Sequence, residues 1–226
     1  MFHMKHPVYL LENQMVALNK GIKKVLGEIS EEQAAKFRKY IDLILGWNRK
    51  ISLISTGDEN RIVEKHILPS LGLCKYIPNE TLNWMDIGTG AGFPAIPVAI
   101  IKNEPRLLVV ESTRKKAVFL MRVIRELELN NAKAIWGRFE ELTGDRTFHI
   151  ISARAVSNPL KVVKKASQRL TPHGQIFYIR DKRGVKDFQT NLPKSLTINE
   201  IIKLPSFTRD PRLYLMKIGL ETSEKV

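Results

Sequence analysis

The segment Asp86-Ile87-Gly88-Thr89-Gly90-Ala91-Gly92-Phe93-Pro94 decides the fold of this chain. It follows a short apolar run at residues 82–87 and precedes an apolar helical pattern at residues 95–102. Glycines at alternate positions allow a tight turn and let the backbone approach a ligand with no side chain in between. The N-terminus of the following helix presents unpaired N–H groups to a polar ligand. The segment therefore predicts a strand, a ligand-binding loop and a helix.

Two common nucleotide-binding patterns do not fit this loop. The dinucleotide pattern has a third glycine three residues after the second, and Phe93 occupies that position here. The P-loop pattern requires a Lys-Ser or Lys-Thr pair, which does not follow. An acidic residue before alternating glycines is typical of sheets that bind S-adenosylmethionine. We therefore predict this cofactor, with contacts from Asp86, Gly88, Thr89, Gly90, Gly92 and Phe93.

Two later segments complete the predicted cofactor site. Glu111 ends the next strand pattern, at residues 107–111, about twenty residues after the loop, where doubly wound sheets place a carboxylate that accepts from ribose hydroxyls. Alternatively, Glu111 caps the following helix. After the third strand pattern, Arg138, Phe139 and Glu140 lie where contacts to adenine usually fall. Alternatively, the acidic residues there only favour the dipole of a helix N-terminus.

The remaining pattern predicts an α/β fold with a helical N-terminal extension. Residues 8–26, a segment that begins after Ser30, and a short segment near residues 62–67 have helical periodicity. Further strands are predicted at residues 132–136, 148–152, 175–179, 196–204 and 212–218, and further helices at 114–127 and 160–170. Alternating strands and helices indicate a doubly wound, mostly parallel, seven-stranded sheet, and the last two strands indicate an antiparallel finish. We assign residues 1–80 to the extension and 81–226 to the cofactor-binding domain.

Composition excludes several classes of protein. Cys74 is the only cysteine, so an intrachain disulfide and a cysteine-based zinc site are excluded. The longest apolar stretch, residues 93–101, is about half the length that spans a bilayer. The first six residues lack the apolar core of a signal peptide. We expect a cytoplasmic protein with no membrane association and no metal.

The charge of the chain indicates a partner that carries phosphates. The formal net charge is +14. The last third, residues 151–226, holds 15 basic and 6 acidic side chains. Cationic proteins bind nucleic acids by releasing condensed counterions, so this excess favours nucleic acid. A basic, well-solvated surface without such a partner is the simpler alternative, and the sign of the charge does not distinguish RNA, DNA or an anionic membrane.

Together these segments resemble the bacterial GidB family, also called RsmG, which methylates guanine N7 in small-subunit ribosomal RNA. The resemblance covers nearly the whole chain and rests on Trp47-Asn48, His66, residues 86–96, Glu111-Ser112-Thr113-Arg114-Lys115-Lys116, Phe119-Leu120, Arg138 with Glu140, Ser152-Ala153-Arg154-Ala155, and Arg212-Leu213-Tyr214-Leu215. The chain departs from the family pattern at Ala95, at Ser52-Leu53-Ile54, at Pro69-Ser70-Leu71 and at Arg180-Asp181-Lys182-Arg183-Gly184. In the last of these, the residue that replaces the lysine of the family is undetermined.

The resemblance implies a methyltransferase that acts on 16S ribosomal RNA or the small subunit. Guanine N7 has a free lone pair, so in-line methyl transfer to it requires no general base. We assign Arg154 to the catalytic site and to the cofactor contacts, because it follows the fourth strand at the same sheet edge. We assign RNA binding to Arg114, Lys115, Lys116, Arg180, Lys182 and Arg183, and expect a monomer.

Other aromatic and ionisable residues receive structural interpretations. His66 is interpreted as a core or interdomain hydrogen-bonding residue rather than a catalyst, and Trp47, Trp84 and Trp136 as packing residues. Two other functions stay open at this point. One is an RNA-associated protein that binds S-adenosylmethionine without catalysis, and the other is a methyltransferase for a small molecule or a protein.

Overall fold

The computed structural model describes residues 7–80, 82–207 and 212–221. The N-terminal hexapeptide and Thr81, where the second predicted domain begins, lie outside these ranges. The helices are α1 (Pro7–Val25), α2 (Glu31–Asn48), α3 (Leu68–Leu71), α4 (Ala95–Ile101), α5 (Arg114–Glu126), α6 (Pro159–Ser167) and α7 (Lys182–Asn191). The strands are β1 (Asn83–Ile87), β2 (Arg106–Glu111), β3 (Ala132–Trp136), β4 (Phe148–Arg154), β5 (Leu170–Asp181), β6 (Leu196–Lys203) and β7 (Leu213–Leu220).

The strands form one seven-stranded sheet in the order β3-β2-β1-β4-β5-β7-β6. The neighbours among β1 to β5 are parallel, and β7 pairs antiparallel with both β5 and β6. This confirms the predicted fold class, including the antiparallel finish. The carboxyl ends of β1, β2, β3 and β4 meet at one edge of the sheet, where ligands bind in folds of this type.

Local sequence signals explain where the N-terminal helices begin and end. Ser30 accepts from the Gln33 backbone N–H while the Gln33 side chain accepts from the Ser30 N–H, and this capping box begins α2 after Ser30. After α1, Gly27 has a φ of +91° and donates to the carbonyl of Ile22, which closes the helix with a left-handed residue. Between α2 and α3 the chain forms a 3₁₀ segment, Thr56–Arg61, and a π-helical turn, Val63–Ile67.

Alternate residues of the central strands enter two different hydrophobic clusters. Leu107 and Val109 face the cluster that contains α1 to α5, whereas Leu108 and Val110 face the cluster that contains α6 and α7. Burial on both faces explains why these strands are continuous apolar runs. The helical segment 7–80 therefore shares its core with one face of the sheet.

Helix α7 was not predicted from the sequence. It contains Lys182 and Arg183 of the basic segment, which were interpreted from the sequence only as RNA-binding residues. Asp181 caps the helix by accepting from the Gly184 N–H at 2.8 Å, and only Val185 and Phe188 supply large buried apolar side chains. Two apolar residues among many charged ones make too weak a periodic pattern for detection. Within the described residues, no helix is long and apolar enough to cross a bilayer.

Candidate functional site

A cavity of about 360 Å³ opens at the carboxyl edge of the sheet, beside the glycine loop. Four loops that follow β1, β2, β3 and β4 contribute to it, because parallel strands end at this edge. Its lining comprises Ile87, Gly88, Gly90, Val110, Glu111, Ser112, Lys116, Gly137, Arg138, Phe139, Glu140, Val156, Ser157 and Val162. The cavity therefore collects most of the predicted contacts from β2 and β3.

Glu111 is the buried carboxylate of this cavity. Its Oε2 accepts from the Gly90 N–H at 3.1 Å, and its Oε1 accepts from the Thr113 N–H at 2.8 Å. Glu111 thus joins the glycine loop to the start of α5, and its contact with ribose hydroxyls stays a prediction. A carboxylate offers about four acceptor positions, so two remain for hydroxyl donors.

Asp86 lies beneath the loop in a buried polar chain. Trp84 Nε1 donates to Ser152 Oγ at 2.8 Å, and Ser152 Oγ donates to Asp86 Oδ1. Asp86 Oδ2 and Thr89 Oγ1 are buried and make no hydrogen bond of normal geometry to any residue that the structure describes. Burial raises the pKa of Asp86 from 3.8 to about 7, although Ser152 and the nearby Thr89 hydroxyl oppose the change. In the folded protein Asp86 is therefore protonated below about pH 7.

The raised pKa of Asp86 predicts a specific pH dependence of stability. Because the folded state holds the proton more tightly than the unfolded state, the free energy of unfolding falls as the pH rises from about 4 to about 7. Asp86→Asn cannot ionise and its amide can donate to Thr89, so at pH 8 we expect it to be more stable by up to about 4 kcal/mol. Urea unfolding of both proteins from pH 4 to 8 measures the difference. Parallel profiles would contradict the prediction, and Asp145→Asn at an exposed carboxylate is the control.

Helix α2 supports the glycine loop from behind. The Tyr40 hydroxyl donates to the Ala91 carbonyl at 2.8 Å. Gly92 has a φ of +108°, and a Cβ there would lie 2.6 Å from Ile96 Cγ1 and 2.8 Å from the Tyr40 hydroxyl. Only glycine fits this position, both for its backbone conformation and for its space.

Gly92→Ala and Gly90→Ala should therefore differ strongly in stability. Gly90 has a φ of +60°, but no other group lies within 4 Å of the position that a Cβ would take there. We expect Gly90→Ala to cost about 1 kcal/mol, the cost of a left-handed non-glycine residue, and Gly92→Ala to cost about 3 kcal/mol or more because overlap adds to strain. Equilibrium urea unfolding measures both values. Equal costs would show that the packing of Tyr40 against the loop is not tight.

The side chain of Phe93 points away from the cavity, into the helical segment. Its ring stacks on the His66 ring with centroids 4.9 Å apart and an angle of 18° between the planes. His66 Nε2 lies 3.1 Å from Asp58 Oδ2. Burial, followed by the charge of Arg154, lowers the pKa of His66 to about 4, so the ring is neutral at pH 7 and donates to Asp58. This agrees with the interpretation of His66 as a core or interdomain hydrogen-bonding residue.

Arg154 lines a second cavity, of about 310 Å³, between the end of β4 and the helical segment. Its guanidinium donates from Nη2 to the Lys65 carbonyl at 3.2 Å. Burial lowers the pKa of Arg154 to about 10, so the side chain keeps its charge at pH 7. The cavity is lined by Asp58, Glu64, Lys65, His66, Pro69, Arg154, Asp181, Pro205, Ser206 and Leu213.

The second cavity contains the carboxylate of Asp58, whose pKa is lowered. Partial burial alone would raise the pKa of Asp58, but hydrogen bonds from Lys65, Ser55 and His66 lower it below its usual value. Lys65 Nζ lies 2.6 Å from Asp58 Oδ1. The cavity thus combines carboxylate acceptors with cationic donors, the groups that can bind the edge of a polar base.

Comparison with known proteins identifies the family. A family model described as rRNA small subunit methyltransferase G, GidB, matches residues 33–209. The chain belongs to the GidB family. The ribosomal RNA small subunit methyltransferase G of Fusobacterium nucleatum subsp. nucleatum is 31% identical over 219 residues, which cover 88% of this chain and 94% of that protein. The same-named protein of Clostridium kluyveri is 31% identical over 206 residues, covering 87% of this chain and 86% of that protein.

Solved structures show the same fold at low sequence identity. A SAM-dependent methyltransferase from Aquifex aeolicus superposes with a TM-score of 0.57 at 13% identity, covering 71% of this chain and 93% of that chain. The ribosomal protein L11 methylase from Lactobacillus delbrueckii subsp. bulgaricus gives a TM-score of 0.53 at 17% identity, covering 68% and 77%. This GidB protein therefore has the fold of these methyltransferases.

The predicted cofactor contacts fall into three groups in this GidB protein. Gly88, Gly90, Glu111, Arg138, Phe139 and Glu140 line the first cavity. Asp86, Thr89, Gly92 and Phe93 are absent from that lining and support the loop or pack behind it. Arg154 lies in the second cavity. The spacing of the loop predicted the sheet edge at which the first cavity lies, but it did not show which side chains line that cavity.

The loop after β4 supplies contacts that were not predicted from the sequence. Val156 and Ser157 line the first cavity, and a Cβ on Gly88 would lie 2.8 Å from Val156 Cγ1. The residues around them, Ala155 and Asn158, have φ values of +53° and +50°. Position after a parallel strand was the available signal, since every such loop of the first strands reaches this edge.

The predicted RNA-binding residues of the GidB protein occupy different surroundings. Arg114 and Lys115 are exposed at the start of α5, and Lys116 lines the first cavity. Lys182 and Arg183 are exposed at the start of α7. The side chain of Arg180 folds over Gly184, and among the described residues its buried Nε makes no hydrogen bond of normal geometry. The interpretation of Trp136 as a packing residue is wrong, because its side chain is 56% exposed.

Proposed function

We propose that this protein transfers a methyl group from S-adenosylmethionine to N7 of a guanine in 16S ribosomal RNA. The observation that carries the proposal is the pair of cavities at one sheet edge, on either side of the segment 154–157. One cavity has the polar groups for the cofactor, and the other has those for a base. The names of the GidB relatives, which specify small-subunit ribosomal RNA, support the choice of acceptor.

In this proposal the first cavity holds the cofactor. Glu111 is already oriented by the Gly90 and Thr113 N–H groups, and its two remaining acceptor positions suit a pair of ribose hydroxyls. The open space at Gly90 lets the ligand approach the backbone. Gly88, Arg138, Phe139 and Glu140 complete the walls, with Phe139 as the buried apolar surface for the adenine. Asp86, Thr89, Gly92 and Phe93 act by holding the loop in place.

The second cavity holds the target guanine. A guanine presents two neighbouring N–H donors on its pairing edge, and one carboxylate can accept both. Asp58 and Glu64 supply carboxylates in this cavity, and the forked donors of Arg154 suit O6 or a phosphate. The neutral His66 ring, fixed between Phe93 and Asp58, gives the wall a defined shape.

The proposed reaction requires the protein to position the acceptor base and requires no acid–base catalysis. When bound, the cofactor supplies an activated methyl group. Guanine N7 has no proton to lose, so no side chain has to act as a base. The residues of the two cavities have to hold N7 in line with the methyl group at near-attack distance. Because N7 of a stacked pair lies deep in an RNA groove, we infer that the target nucleotide is unpaired or displaced.

The proposed partners are 16S ribosomal RNA or the assembled small subunit, in the cytoplasm. The expected monomeric state and the expected absence of a metal stay predictions. Exposed cations at the starts of α5 and α7, namely Arg114, Lys115, Lys182 and Arg183, support an RNA partner.

A labelling experiment tests the proposed function directly. Labelled S-adenosylmethionine is supplied with protein-free small-subunit RNA and, separately, with small subunits that lack the modification, and the digested nucleosides are analysed by mass. We expect label in 7-methylguanosine, and the comparison shows which substrate is used. Label in another nucleoside would contradict the N7 assignment. Cofactor binding without any labelled nucleoside would favour a non-catalytic protein or an acceptor other than RNA.

A further inference from the structure

Trp136 is exposed at the carboxyl end of β3, an edge strand of the sheet, in contrast to the fully buried Trp84. Two contacts hold the Trp136 ring in place. Its Nε1 donates to the Ser112 carbonyl at 3.1 Å, and the guanidinium of Arg114 lies over the ring, 5.3 Å from its centroid. The hydrogen bond and the cation–π contact fix the ring, so that it presents an aromatic surface to solvent in one orientation.

The ring continues into an exposed stripe of α5. Arg114, Val118 and Met121 are spaced four and three residues apart, which places them on one helix face. Val118 is 47% exposed and Met121 is 43% exposed. We call Trp136, Arg114, Val118 and Met121 the Trp136 patch. Arg114 thus connects the fixed tryptophan ring to a helix face with two exposed apolar side chains.

The surroundings of the Trp136 patch are cationic. Arg114 belongs to it, Lys115 is exposed beside it, and Arg122 and Arg125 lie further along α5. Glu126 offsets part of this charge through contacts of 3.6 Å with Arg122 and 3.9 Å with Arg125. Positive charge near an aromatic ring suits a polyanion with flat bases, whereas a plain apolar partner would leave these cations unpaired.

The Trp136 patch also lies next to the first cavity. Ser112, which accepts the Trp136 hydrogen bond, lines that cavity, and so does Gly137, the next residue along the chain. A ligand on the patch would therefore lie close to the cofactor, on the side of the sheet edge away from Arg154. This position suits a nucleotide of the same RNA, some distance from the methylated base.

We propose that Trp136 is a stacking platform for an unpaired base of the bound RNA, with Arg114 and Lys115 contacting the flanking phosphates. The choice of RNA rests on the proposed function. An unpaired base exposes the face that stacks on an aromatic ring, whereas a base within a duplex does not. Trp136 thus gives the protein a contact that selects a single-stranded or looped segment of RNA.

Fluorescence titration with a short single-stranded RNA oligonucleotide tests the proposal. RNA should quench tryptophan emission of the wild type, and most of this quenching should be lost in Trp136→Phe. Trp136→Ala should bind the single strand about tenfold more weakly, the loss expected for one stacked base, and Trp136→Phe should lie in between. The same sequence in a blunt duplex should be bound by Trp136→Ala and by the wild type equally. The affinity for S-adenosylmethionine should not change.

The controls separate stacking from charge and from general damage. Tyr9→Ala removes another 56% exposed aromatic ring, on α1, and should not change RNA binding. In a plot of the logarithm of RNA affinity against the logarithm of salt concentration, Arg114→Ala should reduce the magnitude of the slope by about one. Trp136→Ala should leave this slope unchanged.

Three results would overturn the proposal: unchanged affinity of Trp136→Ala for the single strand, an equal loss for the duplex, or a loss of cofactor affinity with RNA affinity retained. The last would make Trp136 a support of the cofactor cavity. RNA binding through Trp136 without methylation of any RNA would remove the proposed function and leave this inference intact.

Discussion

Gly90→Asp should abolish binding of S-adenosylmethionine and methyl transfer together. The Gly90 N–H donates to Glu111 Oε2 at 3.1 Å, and nothing within 4 Å would meet a Cβ at Gly90, so the new side chain would extend into open space beside the cavity. There its carboxylate would lie near that of Glu111 and would occupy space that the ligand needs. We expect the affinity for S-adenosylmethionine to fall at least about a hundredfold, because the bound cofactor would bury the new carboxylate beside that of Glu111 without a cationic partner.

Calorimetric titration with S-adenosylmethionine measures this loss. Gly27→Asp is the matched control, because Gly27 also has a positive φ, of +91°, with open space around its Cβ position, and it lies after α1, away from the cavity. This control carries the same charge and similar backbone strain. Tight cofactor binding by Gly90→Asp would show that the first cavity is not the cofactor site.

Arg154→Ala should spare the affinity for the cofactor and reduce methyl transfer. Arg154 lines the second cavity and not the first, so its removal should leave the contacts of Glu111 and Gly90 unchanged. Loss of its forked donors should misplace the acceptor base, and misplacement by about 1 Å can cost about a hundredfold in rate. We therefore expect kcat to fall by about that factor while the Kd for S-adenosylmethionine stays constant.

A second function of Arg154 has to be separated from this effect, because its Nη2 also holds the Lys65 carbonyl. Arg154→Lys keeps the charge but not the forked geometry, and it should recover only part of the rate. Arg169→Ala is the control for loss of an arginine that binds backbone carbonyls, since Arg169 donates to the Gly144 carbonyl at 3.1 Å, away from the second cavity. Equal losses of cofactor affinity and rate in Arg154→Ala would show that Arg154 is a structural residue or a cofactor contact.

The sequence by itself determined the class of fold and indicated where the candidate cofactor site lies. Both depend on local patterns: apolar runs that form buried strands, glycines at alternate positions, and Glu111 at the end of the next strand. The capping box of α2 and the glycine that follows α1 are equally local signals, because each depends on residues within a few positions of the helix end.

The tertiary structure decided which side chains line the two cavities. The Tyr40 hydroxyl reaches Ala91 across 51 positions of the chain, and His66 stacks on Phe93, so the helical segment fixes the back of the loop and removes Phe93 from the cavity. Arg154 reaches the carbonyl of Lys65 across 89 positions and thereby enters the second cavity. Trp136 is exposed because β3 is an edge strand, a property of strand order and not of the residues themselves. Long-range packing sets the direction of a side chain, and no short pattern in a single sequence contains it.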